Sequence, residues 1–150
     1  MSVAIGTSVG TTEFYICKHK ASSSSKLPDI TSKWLELKAK ILGSKPNNLY
    51  NQIQVKITTV DQVVKENSIK SIFLLKIDTE GAELDVIKGS VKSLQLGIIK
   101  NIQLESHSND LRHDNKLEIL SLLSNYTHQK SIKHYFGSFT EEFFSLTKVN

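Results

Sequence analysis

Several residue types are scarce in this sequence. It has one cysteine, Cys17, among 150 residues, which excludes an internal disulfide framework and fits a reducing compartment. No apolar run approaches the roughly 20 residues that cross a bilayer. The first ten residues lack the basic start and long apolar stretch of a secretory signal. We therefore expect a cytoplasmic protein with no membrane partner.

Arginine is scarce as well. The net charge is +4, and of the 19 basic residues only Arg112 is an arginine. Nucleic-acid sites usually rely on arginine forks interleaved with aromatic side chains, and the sequence has no such cluster. We expect no nucleic-acid partner and interpret the lysines as a solvated surface.

The composition is otherwise that of a globular protein, 39% hydrophobic and 23% charged, and the length suits one domain over residues 1–150. Periodicity, capping residues and turn signals predict its elements. In the first part of the chain we expect strands at Val3–Ile5 and Phe14–Cys17 around a turn, a helix from Asp29 to about Leu42, and a strand at Ile53–Ile57. A helix capped by Thr59, with Gln62 reaching back, should follow, and then a strand at Ile72–Ile77 and a helix that Gly89 loosens, with Leu84, Ile87, Val91 and Leu94 on one stripe. The last elements should be a strand at Ile98–Leu104, a helix at Lys116–Leu123, and β segments at Tyr126–Ile132 and Glu142–Lys148.

From about Val55 onward strands alternate with helices, which predicts an α/β fold with a parallel sheet. Ile72–Ile77 and Ile98–Leu104 should be parallel neighbours, and the nearly continuous apolar character of the first suggests a central strand covered on both faces. The turn around Gly137 contains no helix, so the last two strands should pair antiparallel. This order suits many α/β folds.

Acidic residues follow the apolar strand at its carboxyl end. Asp78 ends that strand, Glu80 and Glu83 follow where a helix begins, and Glu105 and His107 end the next strand. Ligands of open α/β sheets bind beyond the carboxyl ends of the strands, so we expect these residues to gather at one rim, as a general base or a metal-binding site. The alternative is that the acids favour a helix dipole and that Glu105 and His107 are solvated. We assign all five as catalytic candidates and none as a metal ligand.

The segment LLKIDTEGAELDVIKGS, residues 74–90, resembles the hallmark of the FkbM methyltransferases, in which a strand ending in K-I-D is followed by E-G-A-E and a helix ending in K-G. TTVDQVV from Thr58 is similar to the family's TTLD helix, and IQLESH to its following strand. Asn125-Tyr126 fits the residues before the family's last hairpin. Val3–Gly6 and Thr12–Ile16 resemble the run after its third strand. The resemblance spans nearly the whole chain.

The resemblance implies a partial Rossmann-like methyltransferase fold, with a mostly parallel sheet and a C-terminal antiparallel hairpin. It also implies S-adenosylmethionine as cofactor and O-methylation of a small-molecule or sugar acceptor. The family's glycine-rich cofactor loop and its ribose-binding acid should precede Val3, so we expect a domain truncated at its N-terminus that alone binds S-adenosylmethionine weakly or not at all. Gly6–Gly10 has two glycines but precedes no helix, so the cofactor-binding residues stay unassigned.

The alternative function is a catalytically inactive, truncated remnant that acts at most as a binding or interaction module. An in-frame, glycine-rich strand-turn-helix encoded upstream of Met1 would decide between the two. Without the family's first strand, Ile72–Ile77 should become an exposed sheet edge, and such an edge can pair with another chain. We therefore expect self-association, aggregation or a partner supplying the missing half.

Overall fold

The computed structural model describes residues 3–17, 33–41, 43, 45, 49–79, 81–107, 113–134 and 139–147 of the chain. These residues form seven strands and five helices. In chain order they are β1 (Val3–Ile5), β2 (Gly10–Cys17), α1 (Lys33–Ile41), β3 (Tyr50–Thr58), α2 (Val60–Glu66), β4 (Ile72–Ile77), α3 (Glu83–Lys88), α4 (Val91–Gln95), β5 (Ile99–His107), α5 (His113–Leu122), β6 (Tyr126–Lys133) and β7 (Phe139–Leu146). No helix within these ranges is long and apolar enough to cross a bilayer.

Most of the expected elements occur, with ends that shift by a few residues. β4 has the predicted bounds, whereas β5 runs three residues further, to His107, and β7 begins three residues earlier, at Phe139. The expected start of the first helix at Asp29 and the turn around Gly137 lie outside the described residues. The expected helix over Leu84–Leu94 is divided in two, α3 and α4, at Gly89 and Ser90.

The first three strands form a sheet in the order β1-β3-β2. β3 runs parallel to β1 and antiparallel to β2. The two strands predicted around a turn are therefore present but do not pair, because β3 lies between them. The physical reason is the extent of pairing: all eight residues of β2 find partners on β3, whereas the three residues of β1 could pair with few of them.

The other four strands form a second sheet in the order β4-β5-β7-β6. β4 and β5 are parallel neighbours, and β6 and β7 are antiparallel, as predicted. The expectation of a mostly parallel sheet is wrong: β7 inserts between β5 and β6 and is antiparallel to both, and β3 belongs to the other sheet. A strand that returns without a crossover helix must reverse direction, so both pairings of β7 are antiparallel.

The two faces of the second sheet differ in polarity. Residues paired across neighbouring strands point to the same face. Ile77, Leu104 and Phe144 lie on the helix-covered face and join the main core. From the helices that core receives Val60, Val64, Val86, Ile87, Leu94 and Ile119, and Leu123 joins it directly after α5. The opposite side, the polar face, carries Lys76, Gln103, Glu105 and Glu141.

The edge strand β4 is less covered than the sequence suggested. Within the described residues it pairs with β5 alone, and Phe73 and Leu74 are 80% and 45% exposed. The prediction of a central strand covered on both faces is therefore wrong. A run of apolar residues gives hydrophobicity but not position, and β4 combines one fully buried residue, Ile77, with an apolar edge in solvent.

The two sheets are held together where α2 meets the α3–α4 break. Thr59 Oγ1 accepts from the Gln62 backbone N–H at 3.0 Å, which confirms Thr59 as the N-cap of α2. The Gln62 side chain instead extends along the helix and donates to Glu66 at 2.6 Å. Asp61 caps α4 from a distance of about thirty residues in sequence: its carboxylate accepts from the backbone N–H groups of Lys92 and Ser93 at 2.9 and 2.8 Å.

Candidate active site

The strand end at β4 places Asp78 directly after the buried Ile77. The Asp78 carboxylate lies 3.0 Å from Lys76 Nζ, and the two side chains are 38% and 51% exposed. The hydrogen bond and charge of Asp78 raise the pKa of Lys76, and the charges of Glu105 and Glu141 raise it further. Lys76 is thus a cation shared by three carboxylates, those of Asp78 after β4, Glu105 on β5 and Glu141 on β7.

Glu83 is engaged with the turn that precedes α3. Its Oε1 accepts from the Thr79 N–H at 3.2 Å, the Thr79 hydroxyl at 3.0 Å and the Gly81 N–H at 2.9 Å. Gly81 has φ +104°, a conformation that side chains with a Cβ rarely adopt. The spacing of Gly81 and Glu83 in the sequence is thus accounted for by this turn, in which the carboxylate satisfies the backbone N–H groups before the helix.

The remaining predicted residues are only partly described. Glu105 lies on β5, half-buried and paired in register with Glu141 of β7. His107 is the last residue of β5, and its side chain lies outside the described part of the structure, as does the whole of Glu80. The structure therefore brings Asp78 and Glu105 toward the shared cation Lys76 and directs Glu83 into the turn.

Beside Glu105, the polar face carries residues that the sequence reasoning missed. Glu141 accepts from Gln103 Nε2 at 2.7 Å and lies 3.0 Å from His134 Nε2. The hydrogen bond with His134 is the largest cause that lowers the pKa of Glu141, and it outweighs desolvation. The His134 ring stacks on Phe139 with centroids 4.4 Å apart.

We call this set the carboxyl-edge cluster. It consists of Lys76, Asp78, Gln103, Glu105, His134 and Glu141. Strand alternation was a usable signal, because Lys76 and Asp78 are two positions apart, as are Gln103 and Glu105. The contribution of β7 was not visible, since it depends on the insertion of that strand beside β5. Among the described residues, no three His, Cys, Asp or Glu side chains are placed to hold a metal ion.

Two turns among the described residues are candidates for a cradle that holds S-adenosylmethionine. The bend after β1 is closed, because the Gly6 N–H donates to Thr58 O at 2.9 Å and Gly6 O abuts Gly89. The turn before α3 has the strand-turn-helix form, but Glu83 already occupies the N–H groups of Thr79 and Gly81. The N–H groups of Gly6, Thr79 and Gly81 are thus engaged within the protein, so the glycines of these two turns do not offer the cofactor a cradle.

Comparison with known proteins identifies the family. A family model described as the methyltransferase FkbM domain matches residues 1–130, from before β1 into β6, and so includes Asp78, Glu83 and Glu105. Searches of curated proteins and of solved structures gave no match. The matched residues are most of the 150 in the chain, and the sequence resemblance is confirmed. The chain belongs to the FkbM methyltransferase family.

Proposed function

We propose that this protein takes part in S-adenosylmethionine-dependent methylation of an oxygen on a small molecule or a sugar, with the carboxyl-edge cluster facing the acceptor. The observation that carries the proposal is the match to the methyltransferase FkbM domain over residues 1–130. S-adenosylmethionine supplies the methyl group in such chemistry. Because the glycines of the two turns described above do not offer it a cradle, the proposed roles concern the acceptor alone.

Asp78 is the residue we assign to the acceptor hydroxyl. Its carboxylate is exposed, follows the carboxyl end of a parallel strand and is held 3.0 Å from Lys76 Nζ, so it is accessible and oriented. A carboxylate in that place accepts a hydrogen bond from the hydroxyl and orients or deprotonates it for attack. Lys76 donates a hydrogen bond to the Asp78 carboxylate and so fixes its orientation.

Glu105 supports the same acceptor from the adjacent strand. It shares the polar face with Lys76 and is close enough for its charge to raise the pKa of that lysine. In this proposal Glu105 binds a second hydroxyl of a polyhydroxylated acceptor, whereas Glu83 shapes the turn. Glu80 and His107 keep the catalytic assignment that the sequence suggested, as predictions.

The test is methyl transfer by the purified protein with S-adenosylmethionine, offered hydroxylated small molecules, sugars and a cell extract. S-adenosylhomocysteine and methylated product are measured by mass spectrometry. Replacing Asp78 by Asn should lower turnover by a factor on the order of 100 or more, because the acceptor proton loses its carboxylate. The urea unfolding midpoint should not change.

A matched control is available on the other side of the molecule. Glu118 is also an exposed carboxylate in an ion pair, 2.8 Å from Lys88 Nζ. Glu118→Gln should leave turnover unchanged. Loss of stability in parallel with turnover for Asp78→Asn would assign Asp78 a structural role, and absence of product with every acceptor would favour the inactive interaction module.

A further inference from the structure

A cavity opens between α5 and the helix-covered face of the second sheet. Its volume is about 250 Å³, larger than the roughly 150 Å³ of a protein cavity that binds benzene. Leu104 and Phe144 line it from the sheet, and Ile119 and Leu120 line it from α5. Leu120 is 42% exposed, whereas the other three are buried. The cavity can therefore hold a single-ring or short branched organic molecule against an apolar wall.

A polar group stands at one side of this cavity. Glu142 Oε2 accepts from the Ser131 hydroxyl at 2.5 Å and lies 2.8 Å from His128 Nε2. Ser131 Oγ is also 3.2 Å from the same His128 nitrogen. In a Ser-His-acid relay the acid and the serine bond to different ring nitrogens. Both partners meet Nε2 here, so the arrangement fixes the carboxylate and does not activate the serine.

The carboxylate of Glu142 is ionised and mostly buried. Its side chain is 16% exposed. Burial raises its pKa, but hydrogen bonds from Ser131 and His128 and the charges of His128 and Lys116 outweigh burial, so the pKa lies below its ordinary value of 4.5. Both of the hydrogen bonds described above end on Oε2. Within the described part of the chain, Oε1 accepts no hydrogen bond, and an ionised oxygen beside an apolar wall favours a donor.

We propose that this cavity binds a small neutral molecule with an apolar ring or branched body and one hydroxyl group. The hydroxyl donates to Glu142 Oε1, and the body packs on Leu104, Ile119 and Phe144. Lys116 lines the same cavity and its positive charge acts on the carboxylate, so the ligand needs no positive charge, and a ligand anion would be repelled by Glu142. Neutrality of the head group follows from these charges.

This site is separate from the carboxyl-edge cluster and does not rest on the proposed methylation. Glu141 and Glu142 are consecutive on β7, so they point to opposite faces of the sheet. Glu142 joins the cavity, whereas Glu141 joins the cluster. Ser131, Glu142 and Phe144 also lie beyond residues 1–130, which the FkbM domain matches.

The probe is benzyl alcohol, titrated into the whole chain carrying isotope-labelled methyl groups and followed by NMR. We expect saturable shifts at the methyl groups of Leu104, Ile119 and Leu120. Glu142→Gln should weaken binding about tenfold, because a hydrogen bond to a charged acceptor becomes one to a neutral acceptor. Glu141→Gln is the matched control: the same chemical change, one residue away on the other face, should leave the affinity unchanged.

A second variant keeps the test decisive if Glu142→Gln fails to fold. Leu120→Trp places a large ring at the exposed mouth of the cavity and should abolish the shifts at Leu104 and Ile119. Three results would overturn the proposal: no saturable shifts with benzyl alcohol, equal affinity in the wild type and Glu142→Gln, or tighter binding of benzoate or benzylamine than of benzyl alcohol.

Discussion

At the scale of single residues, the Glu83 side chain bends back over the turn before α3 and accepts three hydrogen bonds through one oxygen. Replacing Glu83 by Ala leaves the N–H groups of Thr79 and Gly81 without this partner. We expect the free energy of unfolding to fall by about 1–3 kcal/mol. Glu83→Gln keeps an oxygen in place and should lose less. Urea denaturation of both variants measures the difference.

The control for Glu83 is Glu118→Ala, because Glu118 makes a single ion pair with Lys88 in solvent. Exposed pairs contribute about 1 kcal/mol or less. If Glu83→Ala and Glu118→Ala were equally stable, the hydrogen bonds to Thr79 and Gly81 would not support the turn, and Glu83 would return to the catalytic candidates on equal terms with Asp78.

A second residue-scale prediction concerns pH. The folded-state pKa of Glu142 lies below the ordinary value of 4.5, so the unfolded chain binds this proton more tightly than the folded protein. Its contribution to stability is therefore complete above pH 4.5 and is lost as pH falls through the lowered folded-state pKa. Urea denaturation between about pH 3 and pH 6 should show wild-type stability falling toward acid. Glu142→Gln should flatten that fall.

His128 provides the check on this pH effect. His128→Ala removes one of the hydrogen bonds that lower the Glu142 pKa, so it should flatten the acid profile in part. Superimposable pH profiles for the wild type and Glu142→Gln would show that other carboxylates account for the acid sensitivity, and the hydrogen bonds to Glu142 would then have no bearing on it.

At the scale of elements, the break between α3 and α4 allows two glycines to meet. A Cβ at Gly89 would lie 2.1 Å from the backbone oxygen of Gly6, so the turn after β1 and the helix pair approach too closely for any side chain there. Gly89→Ala must move backbone atoms, and we expect a loss of about 1–3 kcal/mol in unfolding free energy. Thermal or urea unfolding measures it.

Gly10 is the matched control for this prediction, since a Cβ at Gly10 meets nothing within 4 Å. Gly10→Ala should be neutral or slightly stabilising, because it lowers the entropy of the unfolded chain. A Gly89→Ala protein as stable as Gly10→Ala would mean that β1 and the α3–α4 break are not in contact in solution.

At the scale of the whole molecule, β4 is an edge strand among the residues that the structure describes, and its apolar side chains Phe73 and Leu74 are exposed. Such an edge favours pairing with another chain. We predict that the protein self-associates in a concentration-dependent way, and that Phe73→Lys reduces the association because it places a charge on the edge. Gel filtration with light scattering measures the mass of each variant.

Leu96 is a suitable control for the edge, because it is 74% exposed and lies outside the strands. Leu96→Lys should leave the association unchanged if pairing at β4 causes it. A wild-type protein that stays monomeric at high concentration would contradict the prediction, and equal loss in both variants would indicate non-specific apolar contacts.

The sequence by itself determined the local elements and the family. Ile72–Ile77 was predicted to the residue, and the Thr59 cap was identified, because a strand pattern and an N-cap depend on neighbours within a few positions. The strand-end position of Asp78 follows from the same local pattern. The acids near the start of α3 could be identified for that reason, but their roles could not be assigned. The pattern does not distinguish Glu83, which holds the turn, from Asp78, which faces solvent.

Tertiary structure alone decided the strand pairings that the alternation of strands and helices did not predict. The pairing of β2 with β3, the insertion of β7 beside β5 and the contact of Gly6 with Gly89 join residues far apart in the sequence. These contacts depend on the total pairing and burial that each arrangement allows, a property of the whole chain that no local window contains. Glu141 and Glu142 acquire different surroundings for that reason: alternation separates them, but only the packing of β7 and α5 gives one of them a polar cluster and the other a cavity.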